Sequence, residues 1–302
     1  MDICYILMVL LAFYLYKLNS MKILTSGDRN YIPGIATMLK SLDLNLKKEE
    51  NEQVEITIVS MGINYQEKQK LEACCRFKID WQDFIVVDGD ILSMFGSKLS
   101  YVKMMPDKYV NAEERLLWID ADTIVLGDLE PLWTMDLEGM VIAATANPWG
   151  NPNNAQDQNL YLNTGVLVYD MKIWRTEKLS EKITENVINN IWNDHEQGAF
   201  NSVLMGRWKQ LERIWNNENT DRNTSTRIMH FIYKPKPWEN PSKNQQWVEI
   251  FSQTPFQDEL KAMENRYQSW FYQLKIKYGR WYGWVMEPIV KFKSFYQRKV
   301  KH

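Results

Sequence analysis

Two aspartates stand together at the end of an apolar run. The segment reads LLWIDADTIVLGDLEPLW, with Asp120 and Asp122 separated only by Ala121. Carboxylates at i and i+2 lie on one face of an extended chain. Just beyond a buried strand they are costly unless something positive meets them. A shared divalent ion answers that need, and oxygen ligands select a hard cation, Mn2+ or Mg2+. The competing reading is a strand-end turn whose aspartates cap the next segment. His230, in RIMHFIYKPKPW, would add a nitrogen to make an N/O set that suits Mn2+. A lone histidine in an apolar stretch is otherwise a core or surface residue. Lys236 follows six residues later, within reach of a phosphate held by the same ion; its bland alternative is a solvated lysine.

Further polar groups flank apolar runs. Asn163 and Gly165 precede the run GVLVY, where both residue types also serve turns. Glu196 and Gln197 open HEQGAFN, a carboxylate and an amide that could face a polyhydroxylated ring. An acid there also suits the first turn of a helix.

Positioning these groups requires strands and helices in alternation. Lys22–Gly27, Val54–Ser60, Leu116–Asp120, Met140–Ala144 and Gly165–Tyr169 read as strands, and Phe84–Asp88 is a further short apolar run. Helical spacing marks Ile32–Leu46, Tyr65–Cys75, Tyr101–Tyr109 (broken at Pro106), Asp170–Trp174, Glu181–Trp192 and Glu196–Leu204. This order predicts an α/β domain with a mixed, largely parallel central sheet. Such sheets bind ligands at the carboxyl ends of their strands. There is no GxGxxG and no P-loop, so a Rossmann dehydrogenase or NTPase has no motif support. The polar stretch Trp238–Gln253 reads as a border before the tail.

Taken as an ordered set, these motifs resemble glycosyltransferase family 8 over residues 22–240. The resemblance implies a single nucleotide-sugar-binding domain of GT-A fold, spanning residues 21–250. It further implies a UDP-sugar donor, Mn2+ (or Mg2+), and retention of anomeric configuration. Residue by residue, Asp28, Asn30 and Tyr31, in SGDRNY, match the family's uridine-binding turn. Lys103 matches a position, usually Arg, that contacts the nucleotide-sugar. Asp120, Asp122 and His230 match the metal ligands, Asn163 a donor-sugar contact and Lys236 the diphosphate lysine. Glu196 matches a sugar-hydroxyl contact, and Gln197 the amide near the anomeric carbon. Two positions depart from the pattern. Tyr233 replaces a glycine three residues after the histidine, and Asn147 replaces an aspartate near the acceptor side. The rivals are a nucleotidyltransferase of the same fold, for which KILTSGDRNYIPG lacks a glycine-rich loop, and a non-catalytic sugar-binding homologue.

Composition fits this reading. The chain has 302 residues, 45% hydrophobic and 25% charged, with a net charge of −2, so no global field invites nucleic acid. Three cysteines, two of them adjacent, exclude a disulfide scaffold and favour a reducing compartment. The charge is uneven, however. Residues 266–302 carry nine Lys/Arg, one acid and eleven aromatics, a net +8 against −10 for the remainder. Cations interleaved with Trp and Tyr suit an anionic bilayer surface. Residues 251–302 are therefore expected to form an amphipathic, helical membrane-attachment tail; packing on the domain is the alternative. Residues 1–20 hold an uncharged run, Ile3–Tyr16, shorter than a spanning helix needs. It reads as interfacial or anchoring, with a cytoplasmic, peripherally attached body, and the family resemblance implies a glycan or lipid-linked saccharide acceptor.

Overall fold

The architecture comes from a computed structural model that describes residues 20–46, 54–85, 98–154, 160–218 and 225–269. The apolar run 3–16 and the aromatic, basic residues 270–302 lie outside the described residues, as do residues 86–88 of the run at Phe84.

Strand β1 (Met21–Asp28) leaves through a 3-10 turn (Arg29–Tyr31) into helix α1 (Ile32–Asn45). Next come β2 (Val54–Met61), α2 (Tyr65–Glu72) and β3 (Lys78–Asp83). A 3-10 segment (Leu99–Met104) and the short helix α3 (Pro106–Tyr109) lead to β4 (Arg115–Ile119). Then follow β5 (Thr123–Val125), α4 (Glu130–Trp133), β6 (Ile142–Ala146) and β7 (Leu162–Asp170). Helices α5 (Met171–Thr176), α6 (Leu179–Asn189) and α7 (Glu196–Leu204) precede β8 (Trp208–Leu211) and β9 (Ile228–His230). Helices α8 (Gln245–Phe251) and α9 (Leu260–Gln268) follow.

Local sequence explains the helix starts. Asn64 and Glu67 form a reciprocal capping box on α2. Asp170 ends β7 and caps α5 through the Ile173 N–H. His195 adopts φ +55°, uncommon for a residue with a side chain, and this turns the chain so that Glu196 and Gln197 begin α7.

Seven strands form one sheet in the order β3-β2-β1-β4-β7-β6-β8, and β5 pairs with β9 in a small second sheet. Neighbours in the large sheet are parallel except around β7, which runs antiparallel to β4 and β6. The expected mixed, largely parallel sheet is present. Alternation sends one set of side chains to each face. Ile23, Leu117, Ile119, Val166 and Val168 join the cluster under α1 and α8. Leu24, Leu116, Trp118, Leu167 and Tyr169 join the opposite cluster with Trp174 and Phe200. Both faces are covered, which is why these strands read as nearly continuous apolar runs.

The segment Trp238–Gln253 is not a polar border. It contains a 3-10 turn and α8, whose Trp247 and Phe251 are buried and stacked at 4.6 Å. Its polar residues lie on the outward face, so composition concealed an amphipathic helix. Core packing continues through Phe256 and Met263, past residue 250. The strand near Phe84 lies earlier than the apolar run, at β3. This is an edge strand with exposed Lys78 and Asp83, and such charges discourage pairing with other chains.

Candidate active site

The site is built at one end of the sheet. The parallel strands β1 and β4 point their carboxyl ends there, and antiparallel β7 begins there. Asp120 follows β4, and its N–H donates to the Gly165 carbonyl at 3.0 Å. The second sheet then brings in the distant histidine: Thr123 lies opposite His230, and the Phe231 N–H donates to the Asp122 carbonyl at 2.9 Å. Asp120, Asp122 and His230 each offer a ligand atom, all within 4.8 Å of one another. His230 Nε2 stands 3.1 Å from Asp122 Oδ1 and 3.6 Å from Asp120 Oδ2.

The chemistry of this donor set fits a hard divalent cation, and the surroundings favour ligand readiness. His230 Nδ1 meets Asn216 Oδ1 at 2.8 Å. A chain of bonds fixes the direction of that contact. Glu218 Oε1 accepts from Asn163 Nδ2 at 3.0 Å, so Asn163 Oδ1 faces Asn216 Nδ2 at 2.8 Å. The Gly165 N–H also donates to Asn163 Oδ1, which holds the same orientation. Asn216 therefore presents its carbonyl to Nδ1–H, and Nε2 is left facing the two carboxylates. A ring nitrogen and two carboxylates converging on one point offer a cation three ligand atoms. Gly165 is required here, since a Cβ at that position would overlap the His230 ring.

Two lysines carry the local charge. Lys236 Nζ bonds Asp122 Oδ2 at 2.6 Å and the Phe231 carbonyl at 2.6 Å. Lys103 Nζ bonds Asp120 Oδ1 at 2.9 Å and the Thr164 carbonyl at 3.1 Å, with Glu196 Oε1 at 3.5 Å. Burial alone would raise the Asp122 carboxyl. The charges of Lys236 and His230 outweigh it and hold Asp122 well below the usual carboxylate range. For Glu196 burial wins over Lys103, and its carboxyl is pushed up. Its Oε2 has no hydrogen-bond partner among the described residues. Burial works against the Lys103 ammonium, but Asp120 and Glu196 keep it protonated. Lys103 is thus held among protein oxygens at the floor of the site.

The remaining expected residues are placed as follows. Gln197 Oε1 accepts from the Thr164 N–H at 3.1 Å, and its Nε2 donates to Asp194 Oδ2 at 3.1 Å. Asp194 is itself held by Tyr161 and Asn153. Asp28 caps its own turn by accepting from the Asn30 N–H. The Asn30 side chain is exposed, away from the buried cluster. Tyr31 packs edge-on against Trp238, and burial followed by the charges of Asp122 and Asp120 keeps its hydroxyl protonated. Sequence reasoning missed Asn216, Glu218 and Asp194. The run WNNEN and the residue before HEQG carried their only signal, a concentration of polar side chains between apolar segments.

Comparison with known proteins bears on the fold and the family. Among solved structures, WbbM bifunctional glycosyltransferase superposes with a TM-score of 0.70 at 17% identity, covering 82% of this chain and 52% of that one. The galactosyltransferase LgtC, in complex with donor and acceptor sugar analogs, gives 0.64 at 18% identity, covering 78% and 96%. These likenesses define the fold as GT-A-like. General stress protein A of Bacillus subtilis (strain 168) is 25% identical, over 76% of this chain and 92% of its own length. Lipopolysaccharide 1,2-glucosyltransferase of Escherichia coli (strain K12) is 25% identical over 70% of each. The pattern of Glycosyl transferase family 8 matches residues 22–241, and the chain belongs to that family.

Proposed function

We propose that the protein is a retaining hexosyltransferase that moves glucose or galactose from a UDP-sugar to a saccharide or lipid-linked acceptor, with Mn2+ (or Mg2+) as cofactor. The observation that carries this reading is the convergence of Asp120, Asp122 and His230 beside Lys236. Those three side chains would hold the ion, which supplies Lewis-acid stabilisation of the departing diphosphate. Lys236 adds a second positive charge where phosphate oxygens gather. The Asp28–Tyr31 turn, opening from the carboxyl end of β1, receives the uridine.

Asn163, held on both sides by Asn216 and Glu218, presents a fixed amide to the donor sugar. Gln197 is oriented just as firmly, by Thr164 and Asp194, near the anomeric carbon. An amide is a poor nucleophile, and buried Glu196, with its carboxyl pushed up, is a weak one. Both points support attack by the acceptor hydroxyl on the face from which UDP leaves, with the departing phosphate oxygen taking the acceptor proton. Residues 270–302 are proposed to attach the protein to an anionic membrane, on composition alone.

Release of UDP from UDP-glucose or UDP-galactose, with Mn2+ present, tests the reading. We expect turnover in the native chain and its loss on adding EDTA. In Asp122→Ala it should fall to background. Undiminished turnover in that variant with EDTA present would sink the metal-dependent mechanism.

A further inference from the structure

An exposed aromatic pair bridges two loops that flank the site and has no part in the roles above. Trp149 and Tyr233 are each 59% exposed, with ring centroids 6.0 Å apart and planes at 76°. Burying such rings is favourable, so two of them left facing solvent together call for a ligand.

Their places in the chain say which ligand. Tyr233 lies in the loop between His230 and Lys236, and both of those side chains end on Asp122. Trp149 lies in the turn after β6, which closes on itself through Asn147 Nδ2 and the Gly150 carbonyl at 2.7 Å. That turn is tied to the other wall of the site: Asn153 Nδ2 donates to Asp194 Oδ1 at 2.8 Å, and Asp194 holds Gln197. The ring pair therefore joins the wall carrying the metal-binding group to the wall carrying Gln197, on the solvent side. Lys236 and Asp122 below it are buried and charged, suited to phosphate. The rings are neutral and open, suited to a group arriving from solution. A pyranose ring has that chemistry, with an apolar C–H face to stack and hydroxyls at its edge that stay in solvent.

We propose that Trp149 and Tyr233 form a stacking platform for the terminal pyranose of the acceptor saccharide. The proposal rests on the sugar-transfer reading but does not share its test. Saturation-transfer NMR with methyl β-D-glucopyranoside and methyl β-D-galactopyranoside, in the presence of UDP and Mn2+, reads the platform directly. The native protein transfers saturation to the ring C–H protons of at least one glycoside. Trp149→Ala and Tyr233→Ala each abolish that signal, while Trp149→Phe and Tyr233→Phe retain it. Calorimetric affinity for UDP with Mn2+, equal in all variants, shows that they are folded. Equal signals in the native protein and both alanine variants overturn the platform. So does the absence of signal from either glycoside with native protein that binds UDP. If native protein fails to bind UDP yet shows the ring-dependent glycoside signal, the sugar-transfer reading fails and the platform stands as a saccharide site.

Discussion

Asn216 decides which nitrogen of His230 faces the aspartates. Its carbonyl is turned to Nδ1 because its own amide is claimed by Thr145 and Asn163. Asn216→Ala removes the acceptor and frees the ring to rotate or change tautomer. We expect Mn2+ affinity, followed by electron paramagnetic resonance without nucleotide, to weaken by about 10- to 100-fold. Asn216→Asp, which keeps an acceptor toward Nδ1, should recover part of it. Unchanged affinity in the alanine variant would show that the ring is held by other contacts. The members of the charged cluster were legible in the sequence. Asp120 and Asp122 announce themselves by ending an apolar strand, and His230 by its scarcity. The residues that aim them were not, because an asparagine in a polar run carries no mark of the partner it will find in space.

Among the elements, the long apolar strands and α7 were readable because periodicity accumulates over many residues. β5 and β9 were not. Each has three residues, too few for a period, and their pairing joins segments more than a hundred positions apart. Yet this small sheet assembles the candidate metal group. α8 was hidden for a different reason, its Gln and Glu residues masking one buried stripe. That stripe also supports the site. Trp247 packs on Trp238, Trp238 packs on Tyr31, and a Cβ at Gly34 would run into the Trp238 ring. Trp247→Ala should destabilise the fold by about 3–5 kcal/mol, read by denaturant unfolding. A cost below about 1 kcal/mol would mean that α8 is dispensable.

The end of α1 offers a pH test. Asp43 accepts from the Arg76 N–H at 3.0 Å and from its guanidinium at 2.9 Å, with Lys40 at 3.3 Å. Its burial works the other way but is outweighed, and its carboxyl lies below the ordinary 3.8. Because the folded value is depressed, this stability is fully present above 3.8 and is lost as pH falls through the folded value. Thermal unfolding of Asp43→Asn should lie below that of the native chain at pH 7, and the gap should narrow in acid. A gap independent of pH would assign the effect to packing.

At the scale of the whole molecule, charge divides the chain more sharply than hydropathy does. No helix among the described residues is long and apolar enough to cross a membrane. The described chain also remains part of the packed core through Met263. A deletion of residues 270–302 therefore spares α9 while removing eight of the nine basic residues counted from Arg266. Co-sedimentation with phosphatidylserine vesicles should fall strongly in the truncated protein, and added salt should weaken binding of the full chain. Equal sedimentation of the two forms would refute attachment by this segment. The fold class was legible from the order of elements. The split between sheet faces was not, since it depends on which strands become neighbours.

The pairing of β5 with β9 also sets a timetable. A nascent chain that has left the ribosome as far as Trp215 already displays both aspartates, but the imidazole is still inside the exit tunnel. The candidate metal group cannot close at that stage, because one of its three members is missing. Only when the last quarter of the polypeptide emerges can the three side chains come together, so the group is completed late in synthesis.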